Sequence, residues 1–311
     1  MARALRFSTQ LGGAASGQEW LARVRALEQM GYGTIVMPDH VIGGTWSPIV
    51  ALAGAAVATT TARLGTLVID NDFRNPLMLA REVATLDVLS NGRFELGIGA
   101  GWAIRDNESL GIPYDRGRVR VERLAEAVPL LKRFFAEDEV THRGAYYRHE
   151  KAQCRPRTIQ RPHPPILIGG AGPRLLALAG READIVQIFG SVKPDGSWRD
   201  LRDVTIEAAR EKIGLVRDAA RGRFDRIELS MVQDVVLTDD PERAIDERAR
   251  ETGMPRDLVA SSIYRPMGPV DQVRAHVLRL AAELGVTYFT IRGPHVDDLA
   301  PVVRELTGTA V

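Results

Sequence analysis

The sequence predicts an α/β fold of the (β/α)8 class, a TIM barrel formed by a single domain with insertions. Short β-rich runs alternate with longer helical stretches along all 311 residues, and eight such strand–helix units can be counted. No segment rich in Pro, Gly or Ser divides the chain. The alternative is a doubly wound sheet split into two domains.

The first half of the chain contains four strand–helix units whose ends carry helix-boundary signals. Gly31 closes the first helix, and Pro76 is a favourable first residue for the third. The predicted strands are 5–10, 34–37, 63–70 and 93–99, and the predicted helices are 18–30, 47–59, 76–89 and 116–135.

The second half continues the alternation after one irregular region. That region, 138–165, contains a predicted hairpin over 141–147 around Gly144, and we interpret it as an insertion (about 138–164) within one domain spanning 1–311. The predicted strands are 165–169, 185–189, 227–236 and 286–291, and the predicted helices are 173–181, 201–221, 241–252, 270–284 and 296–306.

Composition excludes several classes of function. The 41 basic and 40 acidic side chains nearly cancel, which indicates no nucleic-acid partner. Cys154 is the single cysteine, so no intrachain disulfide forms, and the six histidines lack metal-ligand spacing. The N-terminus has no signal-peptide core, and the longest apolar run, 49–58, is too short to span a bilayer. We expect a cytoplasmic protein without membrane or metal.

In a TIM barrel, the active site lies in the loops that follow the strands, and this rule selects the candidate residues. Asp39 and His40 follow the second strand, where a carboxylate beside an imidazole suits an orienting group and a general acid or base. The alternative is that Asp39 caps a turn and His40 only packs. Asp70, Asn71 and Asp72 end the third strand and predict a polar mouth, although Asp72 also suits a simple capping role.

Two glycine-rich segments follow later strands. The glycines at 97, 99 and 101 would let backbone approach a ligand, but they do not form a dinucleotide fingerprint, since the next helix is predicted near Arg116. Gly169, Gly170, Ala171 and Gly172 run directly into a helix and predict a phosphate cradle, with close strand–helix packing as the alternative. Trp46 and Trp102, both in loops after strands, could wall a planar pocket.

Five segments together carry a resemblance to a known family. They are Pro38-Asp39-His40, LGTLVIDNDFRNP at 64–76, LDVLSNGRF at 86–94, LGIGAGW at 96–102 and PPILIGGAGP at 164–173. With these motifs in this order, the chain resembles the bacterial luciferase-like family of flavin and deazaflavin enzymes. It is most similar to the actinobacterial branch that uses coenzyme F420, which implies F420 as cofactor, with FMN as the alternative.

The resemblance implies a role for each matching residue. His40 would be the acid or base near the reactive ring, with Asp39 beside it as a second catalytic residue. Leu67 and Val68 would form a bulge that presses on the cofactor ring through a non-prolyl cis peptide. The other cofactor contacts implied are Asp70 at the ring edge, Arg105, and Gly169, Gly170, Ala171 and Gly172 at the phosphate-bearing tail; the substrate pocket would contain Trp46, Trp102 and Arg292.

The implied activity is hydride transfer between the deazaflavin and a small organic substrate, in a homodimer with helix 47–59 as a candidate contact. One rival is an FMN-dependent monooxygenase; an F420 or flavin reductase is the implied partner that supplies reduced cofactor. Another rival is a flavin-binding protein without turnover, which the Asp39–His40 pair disfavours. Trp102 replaces the catalytic Glu of the family's sugar-phosphate dehydrogenases, and only Lys193 lies near their phosphate-binding lysines, which argues against glucose 6-phosphate.

Overall fold

The computed structural model describes residues 3–311 and confirms the (β/α)8 barrel. Its strands are β1 (Arg6–Gln10), β2 (Thr34–Met37), β3 (Arg63–Thr66), β4 (Ile69–Asp70), β5 (Phe94–Gly99), β6 (Val140–Arg143), β7 (Arg148–Ala152), β8 (Ile166–Gly170), β9 (Ile185–Ile188), β10 (Glu228–Asp234), β11 (Val236–Leu237), β12 (Met267–Gly268) and β13 (Val286–Arg292). The parallel order β3-β2-β1-β13-β10-β9-β8-β5-β4 is closed into a ring by pairing of β3 with β5.

The helices surround this ring and place their apolar faces on it. They are α1 (Gly17–Gln29), α2 (Pro48–Ala58), α3 (Pro76–Leu89), α4 (Ile104–Leu110), α5 (Gly117–Ala136), α6 (Pro173–Glu182), α7 (Ile206–Ala219), α8 (Pro241–Thr252), α9 (Arg256–Ala260), α10 (Val270–Leu284) and α11 (Ala300–Leu306). Within residues 3–311, no helix is both long enough and apolar enough to cross a bilayer.

One barrel position is shared by two short strands, β3 and β4, which are separated by Leu67 and Val68. The peptide between these residues is cis, as the resemblance implied. The bulge needs glycine on the neighbouring strand β5, because a Cβ on Gly97 would lie 1.8 Å from the carbonyl oxygen of Thr66. A Cβ on Gly99 would lie 2.8 Å from Val68 Cγ2. These two glycines therefore accommodate the protein's own chain, where the sequence predicted an approach to a ligand.

An ion-pair network occupies the N-terminal end of the barrel interior. Arg6 donates to Glu95 and to both carboxylate oxygens of Glu228, and its guanidinium lies 3.6 Å above the ring of Tyr288. Burial acts to raise the pKa of Glu95, but Arg6 and Arg63 hold it below its usual value. These ion pairs fill the N-terminal end of the barrel interior. The open mouth is therefore at the opposite end, where the strands terminate in polar residues.

The structure corrects two element boundaries that bear on the site. The sequence predicted no helix between β5 and Arg116, but α4 begins at Ile104. It was missed because its seven residues, IRDNESL, are mostly polar and carry no apolar periodicity. The last helix begins at Ala300 instead of 296, because a turn occupies 294–299. The expected hairpin is present as β6 and β7.

Candidate active site

His40 follows β2 at the mouth and is held by a carboxylate from another loop. Its Nδ1 lies 2.6 Å from Oδ2 of Asp106, which is on α4. The other oxygen of Asp106 accepts hydrogen bonds from the backbone N–H groups of Val41 (2.9 Å) and Ile42 (3.1 Å). The Asp106 side chain is 2% exposed and that of His40 is 32% exposed. The carboxylate is thus fully enclosed, while the imidazole keeps access to the mouth.

The carboxylate that contacts the His40 imidazole is therefore that of Asp106, where the sequence suggested Asp39. Asp39 is buried, accepts from the guanidinium of Arg74 through both oxygens, and accepts the N–H of Asp70 at 3.2 Å. Asp39 therefore ties the start of one mouth loop to the end of β4. Sequence reasoning missed Asp106 because 66 residues separate it from His40 and the helix that carries it was not predicted.

Asp70 lies at the mouth against Gly101, where no side chain would fit. A Cβ on Gly101 would lie 2.0 Å from Oδ2 of Asp70, and Gly101 has φ +69°. Burial raises the pKa of Asp70 from 3.8 to about 6, the carboxylates of Asp72 and Asp39 act in the same direction, and the Asp72 N–H and Arg120 oppose them. Asp70 is thus a carboxyl group that titrates near neutral pH at the predicted ring edge.

The bulge forms an apolar platform inside the barrel. Leu67 and Val68 pack against a buried cluster that consists of Leu167 on β8, Ile185 on β9 and Tyr288 on β13. The position and shape of this platform suit a flat, apolar ring surface, and the polar groups of His40 and Asp70 flank it at the ends of β2 and β4.

The glycine-rich segment lies at the β8–α6 junction, with Gly169 and Gly170 ending β8 and Ala171 and Gly172 leading into α6. Gly169 packs on Gln187 and Val68, so it serves strand packing. Gly172 is the N-cap of α6, and within residues 3–311 no side chain caps that helix. None of the described atoms lies within 4 Å of a Cβ built on Gly172. Free backbone N–H groups beside open space form a suitable site for a phosphate.

The two arginines predicted at the site, Arg105 and Arg292, differ in whether they pair with an acidic side chain. Arg105 is on the first turn of α4 and exposed, one residue before Asp106. Arg292, at the end of β13, donates to both oxygens of Asp234 at 2.8 and 2.9 Å. Arg292 is therefore already engaged by an acidic partner, which also lies 3.7 Å from Arg265.

The two tryptophans predicted to wall a pocket lie in different surroundings. The indole of Trp102 packs edge-on against the His40 imidazole, with ring centroids 5.5 Å apart. Trp46 packs on Trp20 at 5.8 Å and lines a groove of about 530 Å³ between α1 and α2. The structure thus brings Trp102 to His40, whereas Trp46 lies on the side of the mouth between two outer helices.

The geometry therefore assembles His40, Asp106, Asp70, Trp102 and the platform at one end of the barrel, and the roles of the individual side chains remain predictions. An imidazole held through Nδ1 can exchange a proton through Nε2. Among residues 3–311, no cluster of three or more His, Cys, Asp or Glu side chains is arranged to hold a metal ion.

Comparison with known proteins gives a consistent picture over most of the chain. A family model described as luciferase-like monooxygenase matches residues 4–288. An F420-dependent glucose-6-phosphate dehydrogenase from Kineococcus radiotolerans is 31% identical over 292 residues, which cover 90% of this chain and 80% of the relative.

Solved structures with the same fold cover nearly the whole chain. The F420-dependent tetrahydromethanopterin reductase of Methanopyrus kandleri superimposes with a TM-score of 0.78 at 19% identity, covering 98% of this chain and 99% of the reductase. The monooxygenase RslO1 of Streptomyces bottropensis superimposes with a TM-score of 0.74 at 24% identity, covering 96% and 97%. At these identities, both comparisons concern the fold.

Proposed function

The chain belongs to the luciferase-like monooxygenase family, and from this premise we propose that it is an F420-dependent oxidoreductase. It transfers a hydride between the deazaflavin and a small organic substrate. The single observation that carries the proposal is the His40–Asp106 pair beside the Leu67–Val68 platform, because hydride transfer to or from a carbonyl or alcohol needs a positioned acid or base. The F420-dependent name of the Kineococcus relative supports the cofactor.

The residues of the mouth fit such a cofactor at both of its ends. The apolar bulge matches a planar ring, and the uncapped N-terminus of α6 beside Gly172 matches a phosphate. When bound, the deazaflavin would supply the hydride-transfer chemistry. The protein would hold the ring on the platform and place the Asp70 carboxyl at its edge.

In this mechanism, His40 moves a proton at the substrate oxygen through Nε2. Asp106 accepts the hydrogen bond of Nδ1–H, so it keeps the imidazole in one tautomer and one orientation. The hydrogen bonds from the N–H groups of Val41 and Ile42 hold the Asp106 carboxylate in place. Asp39, held by Arg74, acts by positioning the loop that carries His40.

The substrate we propose is neutral or weakly anionic. Arg292 already donates to both oxygens of Asp234, and the indole of Trp102 occupies the position beside His40. Both features argue against a sugar phosphate as the substrate. A separate reductase would supply reduced cofactor where the reaction consumes it.

The cofactor proposal is tested by a binding titration with F420 and with FMN. We expect F420 to bind more tightly than FMN. The replacement Gly172→Val should weaken F420 binding roughly ten- to a hundredfold. The valine side chain would keep the phosphate away from the backbone N–H groups of α6, and each hydrogen bond to a charged group that is lost weakens binding by about this much. Gly17→Val is the matched control, because Gly17 also stands in open space at a helix start. Tight binding of FMN alone, with oxygen consumption, would instead favour the monooxygenase.

We also propose that the protein is a homodimer that pairs through α2 and α3. Val50 and Val57 on α2 are each 72% exposed, and Met78 and Leu89 on the adjacent helix α3 are 49% and 45% exposed. Exposed apolar side chains on two helices that pack together suit burial against a symmetric copy.

The dimer is tested with the double variant Val50→Asp, Val57→Asp. Two carboxylates in an apolar interface would be desolvated without partners, so the variant should sediment as a monomer while the wild-type protein sediments as a dimer. Leu215→Asp, on the exposed face of α7, is the control and should leave the mass unchanged. A monomeric wild-type protein at micromolar concentration would refute the proposal.

A further inference from the structure

Trp102 contacts residues from opposite sides of the barrel mouth. His40 follows β2, and Gly196 follows β9, which stands four strands away from β2 in either direction around the ring. The Trp102 indole lies against the His40 ring. A Cβ built on Gly196 would lie 3.2 Å from Cζ3 and 3.3 Å from Cη2 of the same indole. The side chain of Trp102 thus spans the mouth.

Gly196 is at the tip of an ordered segment, residues 190–199, that we call the strap. Its arms are joined by an antiparallel bridge between Val192 and Trp198. The N–H of Lys193 donates to Ser197 and that of Arg199 donates to Ser191, both at 2.8 Å. The strap is therefore a short hairpin whose tip has a defined position.

The base of the strap is anchored by aromatic packing. The ring of Trp198 stacks on Tyr264 with centroids 6.1 Å apart and lies 5.6 Å from Phe189. A Cβ on Gly190 would lie 1.9 Å from this indole, so the chain passes directly beneath it. The N–H of Ser191 donates to Asp203, which pairs with the buried Lys212 at 2.7 Å. An anchored base allows the tip to press on Trp102.

The backbone of Trp102 is also held from its own loop. The Tyr114 hydroxyl donates to the Trp102 carbonyl at 2.8 Å, and the Arg120 guanidinium lies 4.0 Å from the centroid of the Tyr114 ring. Trp102 remains 41% exposed, so it faces solvent as well as contacting His40. With these contacts, Trp102 lies between the barrel mouth and solvent, and we call it the roof of the mouth.

We propose that Trp102 is a roof over the reacting atoms beside His40, and that Gly196 holds this roof from the far side of the mouth. The proposal rests on the proposed function for the identity of the ligand beneath the roof. The roof excludes water from the hydride-transfer step and limits the size of the group that a substrate can place next to His40. Trp102 and Gly196 are therefore specificity-determining residues.

The test measures how well a small neutral quencher, acrylamide, reaches the fluorescent ring of bound F420. Trp102→Ala should raise the quenching constant by a factor of about three, because closure of the site keeps solvent from the ring. Gly196→Ala should raise it by a smaller factor, because the new methyl group displaces the indole. The control is Gly222→Ala: Gly222 has φ +85°, Gly196 has φ +86°, and no described atom lies within 4 Å of a Cβ on Gly222.

The control separates backbone strain from the contact with Trp102. Both alanine variants place a side chain at the same strained φ, so only the contact differs. The proposal requires that bound F420 has the same acrylamide quenching constant in Gly222→Ala as in the wild-type protein. It is overturned if Trp102→Ala leaves the quenching constant at the wild-type value, or if the two glycine variants behave alike.

A second measurement needs no cofactor, so it tests the roof independently of the proposed function. In the ligand-free protein, Trp102→Ala should speed amide hydrogen exchange at Lys193 and Gly196 about two- to tenfold, which is the worth of one aromatic packing contact. If the wild-type protein binds neither F420 nor FMN, the proposed function fails. The proposal that Trp102 is a roof is then tested by amide hydrogen exchange alone. Unchanged exchange at the strap would then reject the contact between strap and roof.

Discussion

Replacement of His40 by alanine is expected to lower the turnover number by roughly 10²–10⁴, the usual contribution of a positioned acid or base. The imidazole is the group at the mouth that is both held by a buried carboxylate and accessible to substrate. Its loss removes the proton transfer and leaves the apolar platform intact. The dissociation constant of the cofactor should therefore change little, which a fluorescence titration of the same variant checks.

The matched control for this variant is His295→Ala. His295 also follows a barrel strand and also contacts a carboxylate, that of Asp298, at 3.1 Å. Its side chain is 28% exposed, close to the 32% of His40. The control should keep full turnover. A His40→Ala protein that turns over at the wild-type rate but loses cofactor would make His40 a binding residue and contradict its catalytic assignment.

Asp106→Asn is expected to lower the turnover number by a comparable factor, roughly 10²–10⁴. Asparagine retains an oxygen that can accept from Val41 and Ile42, so the loop keeps its anchor. Its amide group, however, presents a donor to Nδ1 of His40 where the carboxylate presents an acceptor. The imidazole then takes the other tautomer, with its proton on Nε2, and loses the charge that stabilises the protonated ring.

The measurement for this variant is the pH profile of kcat together with cofactor affinity. We expect kcat to be lower than that of the wild-type protein across the profile, whereas the cofactor dissociation constant stays near the wild-type value. Asp298→Asn, at the corresponding His295 pair, is the control and should leave the profile unchanged. If the Asp106→Asn protein has wild-type kcat at every pH, the carboxylate serves only to hold the loop.

Local sequence patterns were enough to predict the barrel and the location of its mouth. The observed β2 has the predicted bounds, Thr34–Met37, and α3 has the bounds predicted from Pro76. This worked because strands and helices have different apolar periods, and because proline and glycine mark helix ends through their own backbone preferences. Once the strand ends are known, the fold itself places His40, Asp70 and Gly172 at one end.

Contacts between distant loops could not be predicted in the same way. Asp39 stands next to His40 in the chain, yet its carboxylate turns to Arg74, and Asp106 of α4 takes the place beside the imidazole. Two neighbouring residues on an extended segment point in opposite directions, so adjacency in sequence does not give contact in space. The polar helix α4 has no periodic signal from which its position could have been inferred.

The glycines also show the difference between what the sequence predicts and what only the tertiary structure reveals. The sequence alone determined that glycine-rich segments follow β5 and β8, at the ends where a ligand would bind. Only the tertiary structure decided which glycines leave room for a ligand, because Gly97 and Gly99 make room for the Leu67–Val68 bulge while Gly172 faces open space. Backbone freedom is a property of one residue, whereas the space around a missing Cβ is set by atoms that the rest of the chain brings there.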